Sequence, residues 1–515
     1  MSVWVGRALR SAGALVAVAA VGVVVVGASR LAPPAIPDVA EHAVDVPAPA
    51  AVSVCAGPPI MPAEIGSGAF DPTPVDPVTG VAVVAVPSTG GALAGTVRVL
   101  DGSGSLEGLA PGDGVARITQ PSAPVVARAA GGDEPARLAG TSATLVTAGD
   151  LRGLAAATCT APTADAWLVG GSTTIGSTAD LVLVNAGSTT AEVTVELWGP
   201  NGPVELPGAH QLVAPRAART LSLGGQAPEQ RSIAVHVSTT GGQVTAFVQD
   251  TAVRGYTPAG FELVVPGAAP ATRQVIPGAL LEASAGDSPD APVLRLLAPG
   301  GADATAAVTL LGPDGPVAMP DAAEVPLPAG VVTDVPLGGL PAGAYTVLVD
   351  ADAPVVAALG YSRTGLPGEL DTSPRVERAW AAATAPGGGL VAPPPGTDVS
   401  LVVGAAPDGE ATTATGTLTG TVRVLGPGGA LIAEHRLSVD AASTGTWTLA
   451  QLSDRPADVT GIQLVPDEGP IGAAWALVAE VTQGDGVLAS VLLPAPEPTG
   501  ATQVVVREDP RLGLG

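Results

Sequence analysis

The sequence predicts an all-β protein made of tandem immunoglobulin-like β-sandwich domains after an N-terminal transmembrane helix. Three observations predict it. Apolar runs alternate with period two between turn-forming residues, a set of landmarks returns about every 113 residues, and a single uncharged apolar stretch is long enough to span a bilayer.

Composition sets the frame. With 515 residues, 46% hydrophobic and only 13% charged, the chain is no disordered acidic tail and has room for several packed domains. The 68 glycines and 52 prolines are spread between short apolar runs, the punctuation of a protein with many turns. Aromatic residues make up 2%, so the cores must be built from Val, Ala and Leu. The 47 acidic residues against 22 basic ones, all of them Arg, give a net charge of −25. Such a chain repels phosphate backbones, and nucleic acid is excluded as a partner.

At the N-terminus, Arg7 and Arg10 precede an uncharged run from Ser11 to Ser29. Residues 1–30 read as a cytoplasmic stub and membrane anchor, with the basic end inside and the body outside the cytoplasm. The alternative is a cleaved signal peptide, with Val26-Gly27-Ala28 as the small residues of its cleavage site and a secreted body. Residues 31–54 form a Pro/Ala-rich spacer, and 498–515 a frayed tail. Cys55 and Cys159 both lie beyond the apolar run, and in an oxidising compartment the pair most simply forms one disulfide. Two separate buried thiols are the other reading.

The body repeats. Trp198-Gly199-Pro200-Asn201-Gly202 returns as Leu311-Gly312-Pro313-Asp314-Gly315 and as Leu425-Gly426-Pro427-Gly428-Gly429. Leu223-Gly224-Gly225 returns as Leu337-Gly338-Gly339, and QVTAFVQD (243–250) answers PVVAALGY (354–361) and IGAAWALVAEV (471–481). Three copies follow, at 166–275, 276–376 and 377–497. A diverged fourth, carrying both cysteines, occupies 55–165. It is suggested by Thr96–Leu100 matching Thr421–Leu425 and by Pro124-Val125-Val126 matching Pro354-Val355-Val356.

Within a copy, LVLVN and AEVTVELWG alternate as half-buried strands, and RTLSL, SIAVHVS, QVTAFVQD and FELVVPG continue the pattern. About seven strands per copy fit an immunoglobulin-like sandwich, although the Cys-Trp-Cys signature is missing. Residues 141–159 have room for one short helix. A propeller is the runner-up architecture, but its blades repeat at roughly 40–50 residues.

Cys159-Thr160-Ala161-Pro162 leading to Trp167-Leu168-Val169-Gly170-Gly171, then LVLVNAGSTTAEVTVELWGPNGPV, with VCAGPP around Cys55, resembles an uncharacterised actinobacterial family of membrane-anchored extracytoplasmic proteins known only as a domain of unknown function. The resemblance implies an exported β-rich body and supplies no catalytic residues.

Chemistry is sparse. His42, His210, His236 and His435 show no metal-binding spacing, and His236 reads as an ordinary strand residue. Gly286-Asp287-Ser288 lacks the context of an esterase nucleophile. Asp350 and Asp352 read as a solvated hairpin tip rather than a calcium site. Trp198, beside a turn, is the tryptophan to test for an exposed contact role. The expectation is a non-catalytic envelope scaffold with no catalytic, cofactor or metal residues, contacting other envelope proteins or wall polymers. An exported hydrolase of wall polymer or lipid and a carbohydrate-binding protein are the alternatives.

Overall fold

The computed structural model describes residues 48–507, apart from 63–72, 88–91, 105, 132–134, 320–323, 369–371, 410, 412–413 and 499–501, and before them 16, 19–23 and 41–46. Two compact units result, one of residues 47–501 and one joining 1–46 with 502–515. In the second, Glu41–Val46 pairs antiparallel with Thr502–Arg507, Val44 opposite Val504. Spacer and tail thus each contribute a strand, as their β-branched runs VDV and VVV favour. The apolar stretch read as an anchor lies outside the described residues except for 16 and 19–23, which are helical. No described helix is long and apolar enough to cross a membrane.

The body, 47–501, is all-β, and one strand order occurs four times. Numbered within each unit, strands one, six, three and four form one sheet, and five, two, seven and eight form the other. In the first unit these strands run from Ala51–Cys55 to Gly153–Thr158, and in the second, where His210–Val213 is added beside strand three, from Asp165–Val169 to Thr257–Val264. The third runs from Ala271–Leu281 to Pro374–Ala382 and the fourth from Gly389–Val391 to Gly486–Leu492. The eighth strand of the third unit therefore straddles the boundary at 376/377 expected from the repeat spacing. Alternating inward residues of the two sheets make each core; in the second unit Leu181, Leu183, Val193, Val195 and Val248 are buried together. Each such side chain contributes roughly 1.5–3 kcal/mol when taken out of water.

The landmarks fall where the repeat requires. Gly199 pairs with Gly202 and Gly312 with Gly315 at the tips joining strands three and four. Thr96–Leu100 and Thr421–Leu425 both lie at strand three, but Val125 and Val126 belong to strand six of the first unit, where Val356 opens strand seven of the third. The helix expected within 141–159 is instead the strands Arg137–Val146 and Gly153–Thr158. Every residue of GLAAAT is buried, and a strand packed on both faces loses the alternation that identifies it. Strands six and seven of the third unit run on as one 25-residue strand, Gly343–Pro367. Asp350 and Asp352, expected at a hairpin tip, sit where it passes between sheets. Asp350 accepts from Arg273 at 2.9 Å and Asp352 from the Thr305 N–H at 2.7 Å.

The units are not separate modules strung along a tether. Strand eight of the first packs on strand eight of the second, the second on the third, the third on the fourth, and the fourth back on the first. Buried apolar clusters join every neighbouring pair. Val54 meets Val184 between units one and two, and Trp198 meets Val332 between two and three. Leu348 meets Ala474 between three and four, and Val84 meets Leu390 between four and one. The four copies close into a ring.

Cys55, on strand one, and Cys159, after strand eight, form a disulfide between the two sheets of the first unit. Both are buried in its core. Gly140 makes room for it, since a Cβ there would lie 2.8 Å from Cys159 Sγ.

Candidate functional site

Where the four inner strands meet, apolar sequence gives way to three polar side chains: Glu262, Glu377 and Ser490. The outward-facing N–H groups of an inner strand have no neighbouring strand to bond, and a buried N–H must find an acceptor. Leu154 N–H donates to Glu377 Oε1 at 2.7 Å, Ala156 N–H to Ser490 Oγ at 3.2 Å, and Leu263 N–H to Glu262 Oε1 at 2.8 Å. Ser490 Oγ lies 2.7 Å from Ala156 O and 2.8 Å from Glu262 Oε2. The hydroxyl has one proton to give. With it on Ala156 O, the proton between Ser490 and Glu262 comes from the carboxyl group.

Electrostatics agree. Burial, reinforced by the charge of Glu377 and opposed by the Leu263 N–H and Ser490, holds Glu262 well above the usual carboxyl range. Burial likewise raises Glu377 to about 8, against the Leu154 N–H and the charge of Arg152. These groups knit the ring at its centre and are closed to solvent, each 1% exposed.

An accessible polar site is a cleft of about 260 Å³ between the second and third units. Arg231 and Arg254 reach it from the second unit, Arg295 and Arg378 from the third, with Ser172, Thr174, Ser177, Ser362, Tyr361 and Trp380 in its walls. Arg295, in the otherwise apolar strand Val293–Leu297, is 4% exposed. It donates to Asp334 through Nε at 2.8 Å and Nη2 at 3.1 Å, and to Gly171 O at 2.7 Å. Its guanidinium also stacks 4.9 Å from the Trp380 ring centroid. Arg254 Nη1 donates to Asp290 Oδ2 at 3.1 Å. Trp380 Nε1 donates to Asp250 Oδ2 at 3.0 Å, and Arg378 Nη1 approaches that same oxygen only to 3.9 Å. The Arg378 stem lies across Gly260, whose φ of +126° and missing Cβ permit the approach. Arg231 is exposed and has no ion pair among the described residues.

The residues singled out in the sequence are placed elsewhere. His236 sits with Nδ1 2.8 Å from Glu196 and Nε2 2.7 Å from Asp165, stacked on Trp167 with centroids 4.2 Å apart. With a carboxylate at each nitrogen, the ring has neither free to serve a nucleophile. His210 contacts Thr194, and His435 contacts Leu452 O. The side chain of His42 lies outside the described residues. Ser288 Oγ accepts from the Asp290 N–H within its own turn. Trp198, the candidate for an exposed contact role, is 8% exposed and stacks on Trp167 at 5.3 Å. Its turn is held to the third unit by the Val332 N–H donating to Gly199 O. No group of three or more His, Cys, Asp or Glu suited to a metal occurs among the described residues.

Sequence reading passed over the cleft arginines and the two buried glutamates. For Arg295 and Glu262 the signal was a lone charge inside an otherwise apolar strand, VLRLL and GFELVV.

No curated protein matches the chain. A family model described as "Family of unknown function (DUF5719)" matches residues 114–421, from the edge of strand five in the first unit into strand three of the fourth. The match includes Cys159 and the block from Trp167 to Gly171 and leaves Cys55 outside. Spanning more than half of the sequence and every wall of the arginine cleft, it establishes that the chain belongs to DUF5719, a family of unknown function.

Proposed function

We propose that this is a non-catalytic, membrane-anchored extracytoplasmic protein of the cell envelope. Its immunoglobulin-like sandwiches act together as one rigid scaffold for other envelope proteins or wall polymers. The observation that carries this reading is the cyclic packing of the four two-sheet units. Members that hold one another in place present their outer sheets and loops in a fixed relation, as a scaffold requires. Export is supported by the disulfide, which persists in oxidising compartments, and by the apolar run behind Arg7 and Arg10. The non-catalytic reading is supported by the engaged ring of His236, whose two nitrogens each meet a carboxylate.

Protease treatment and cross-linking of intact cells test the proposal. The chain should fractionate with the membrane, be cut by protease added outside, and cross-link to envelope proteins or wall polymer. Protection from protease until lysis, or cross-linking that captures no envelope component, would overturn it.

A further inference from the structure

We infer that the cleft between the second and third units binds a small oxyanion carried on a hydroxyl-rich molecule, of the size of one acidic or phosphorylated sugar. The argument starts from charge. In a chain of net charge −25 with only 22 basic residues, four arginines converge on one cleft. Asp290 and Asp334 neutralise two of them. Arg231 has no ion pair among the described residues, and the one carboxylate oxygen near Arg378 stands at 3.9 Å and is already bonded by Trp380.

Arg231 therefore has no carboxylate among the described residues and Arg378 is paired only at 3.9 Å, both in a half-enclosed space where their forked donors suit a carboxylate or a phosphate. Arg295 and Arg254, locked by bidentate aspartates, keep the walls in place without competing for the ligand. The hydroxyls of Ser177 and Ser362 stand in the same walls and suit a polyol. A volume of about 260 Å³ falls just below the usual range of ligand cavities, which suits one small ring and not a long polymer segment. The inference concerns this cleft alone and does not depend on the scaffold role.

The test is calorimetric titration of the full chain in mild detergent with glucuronate, glucose 6-phosphate, inorganic phosphate and glucose. Saturable binding of glucuronate or of glucose 6-phosphate is expected, tighter than inorganic phosphate, weakened by added salt, and absent for glucose. Preference between the first two separates a carboxylate ligand from a phosphate one. Arg231→Ala and Arg378→Ala should each weaken binding about tenfold or more. Arg231→Glu, at an exposed position that folding does not require, should abolish it with an unchanged melting temperature. No saturable binding, equal binding of glucose, or binding that survives Arg231→Glu would overturn the inference.

Discussion

Arg152 of the first unit and Asp485 of the fourth are joined by two parallel hydrogen bonds, Nε to Oδ2 at 2.8 Å and Nη2 to Oδ1 at 2.7 Å. This contact ties the last copy to the first. The arginine is 2% exposed, and Arg375 approaches the same carboxylate at 3.2 Å. Burial alone would raise the Asp485 carboxyl, but the hydrogen bond and charge of Arg152, with the charge of Arg375, hold it below the usual range.

Replacing Asp485 with Ala leaves the Arg152 guanidinium buried without its partner, a change that costs about 3–5 kcal/mol. Urea denaturation should show that loss. For a carboxyl with a lowered folded pKa, the stabilisation is present above the unfolded value of 3.8 and disappears as pH falls through the lower folded value. Wild type and Asp485→Ala should therefore converge in strong acid; a constant offset at every pH would show that the loss does not come from the charged pair, and coincident curves that the pair contributes nothing.

The central carboxyls give the opposite pH dependence. A group whose folded pKa is raised binds its proton more tightly when folded, so its contribution is complete below the unfolded value and declines as pH rises through the folded one. For Glu377 that window runs from 4.5 to about 8. The body should lose up to roughly 1.4 kcal/mol per pH unit across it for this group. Glu377→Gln, which keeps an acceptor for Leu154 and removes the titration, should match wild type near pH 5 and exceed it near pH 9. Chemical denaturation at the two pH values is the measurement, and identical pH profiles would remove Glu377 as the cause.

Cys55 and Cys159 enclose a loop with a sequence separation of 104. Chain-entropy reasoning assigns a loop of that length about 4–5 kcal/mol. The double variant Cys55→Ser, Cys159→Ser should melt at a lower temperature, with early proteolysis confined to the first unit. Reductant should shift wild type toward the variant and leave the variant unmoved.

Trp198→Ala should cost about 3–5 kcal/mol, because the indole fills the apolar space between Trp167, Leu297 and Val332. An exposed contact residue would cost almost nothing on truncation. Thermal denaturation thus distinguishes a residue that joins two units from one that awaits a partner.

Much of the local architecture was legible. The hairpin tips at Gly199 and Gly312 and the strand RTLSL lie as the period-two pattern predicts, because one face of that strand meets a core and the other meets water. Legibility failed where both faces are buried. GLAAAT and the segment before it look helical in composition, yet they are strands enclosed by the next unit and the last. The same enclosure concealed the ring: no periodicity reports that a second face is covered by a neighbour. Trp198 raised the question of exposure because a turn usually marks the surface, whereas this turn is covered by the third unit. The cleft is written in charges spread along two units, Arg231 and Arg254 in the second and Arg295 and Arg378 in the third, and the packing of the third on the second brings them together.

The outer margin of a sheet invites pairing with foreign chains, since its free amides and carbonyls are a template for strand addition and aggregation. In each copy here, the margin formed by strand eight points to the centre. Circular closure thus does for four sheets what barrel closure does for one, withdrawing their adhesive rims from the surroundings. A variant lacking one copy would uncover two such rims at once, and its first symptom would be self-association rather than simple unfolding.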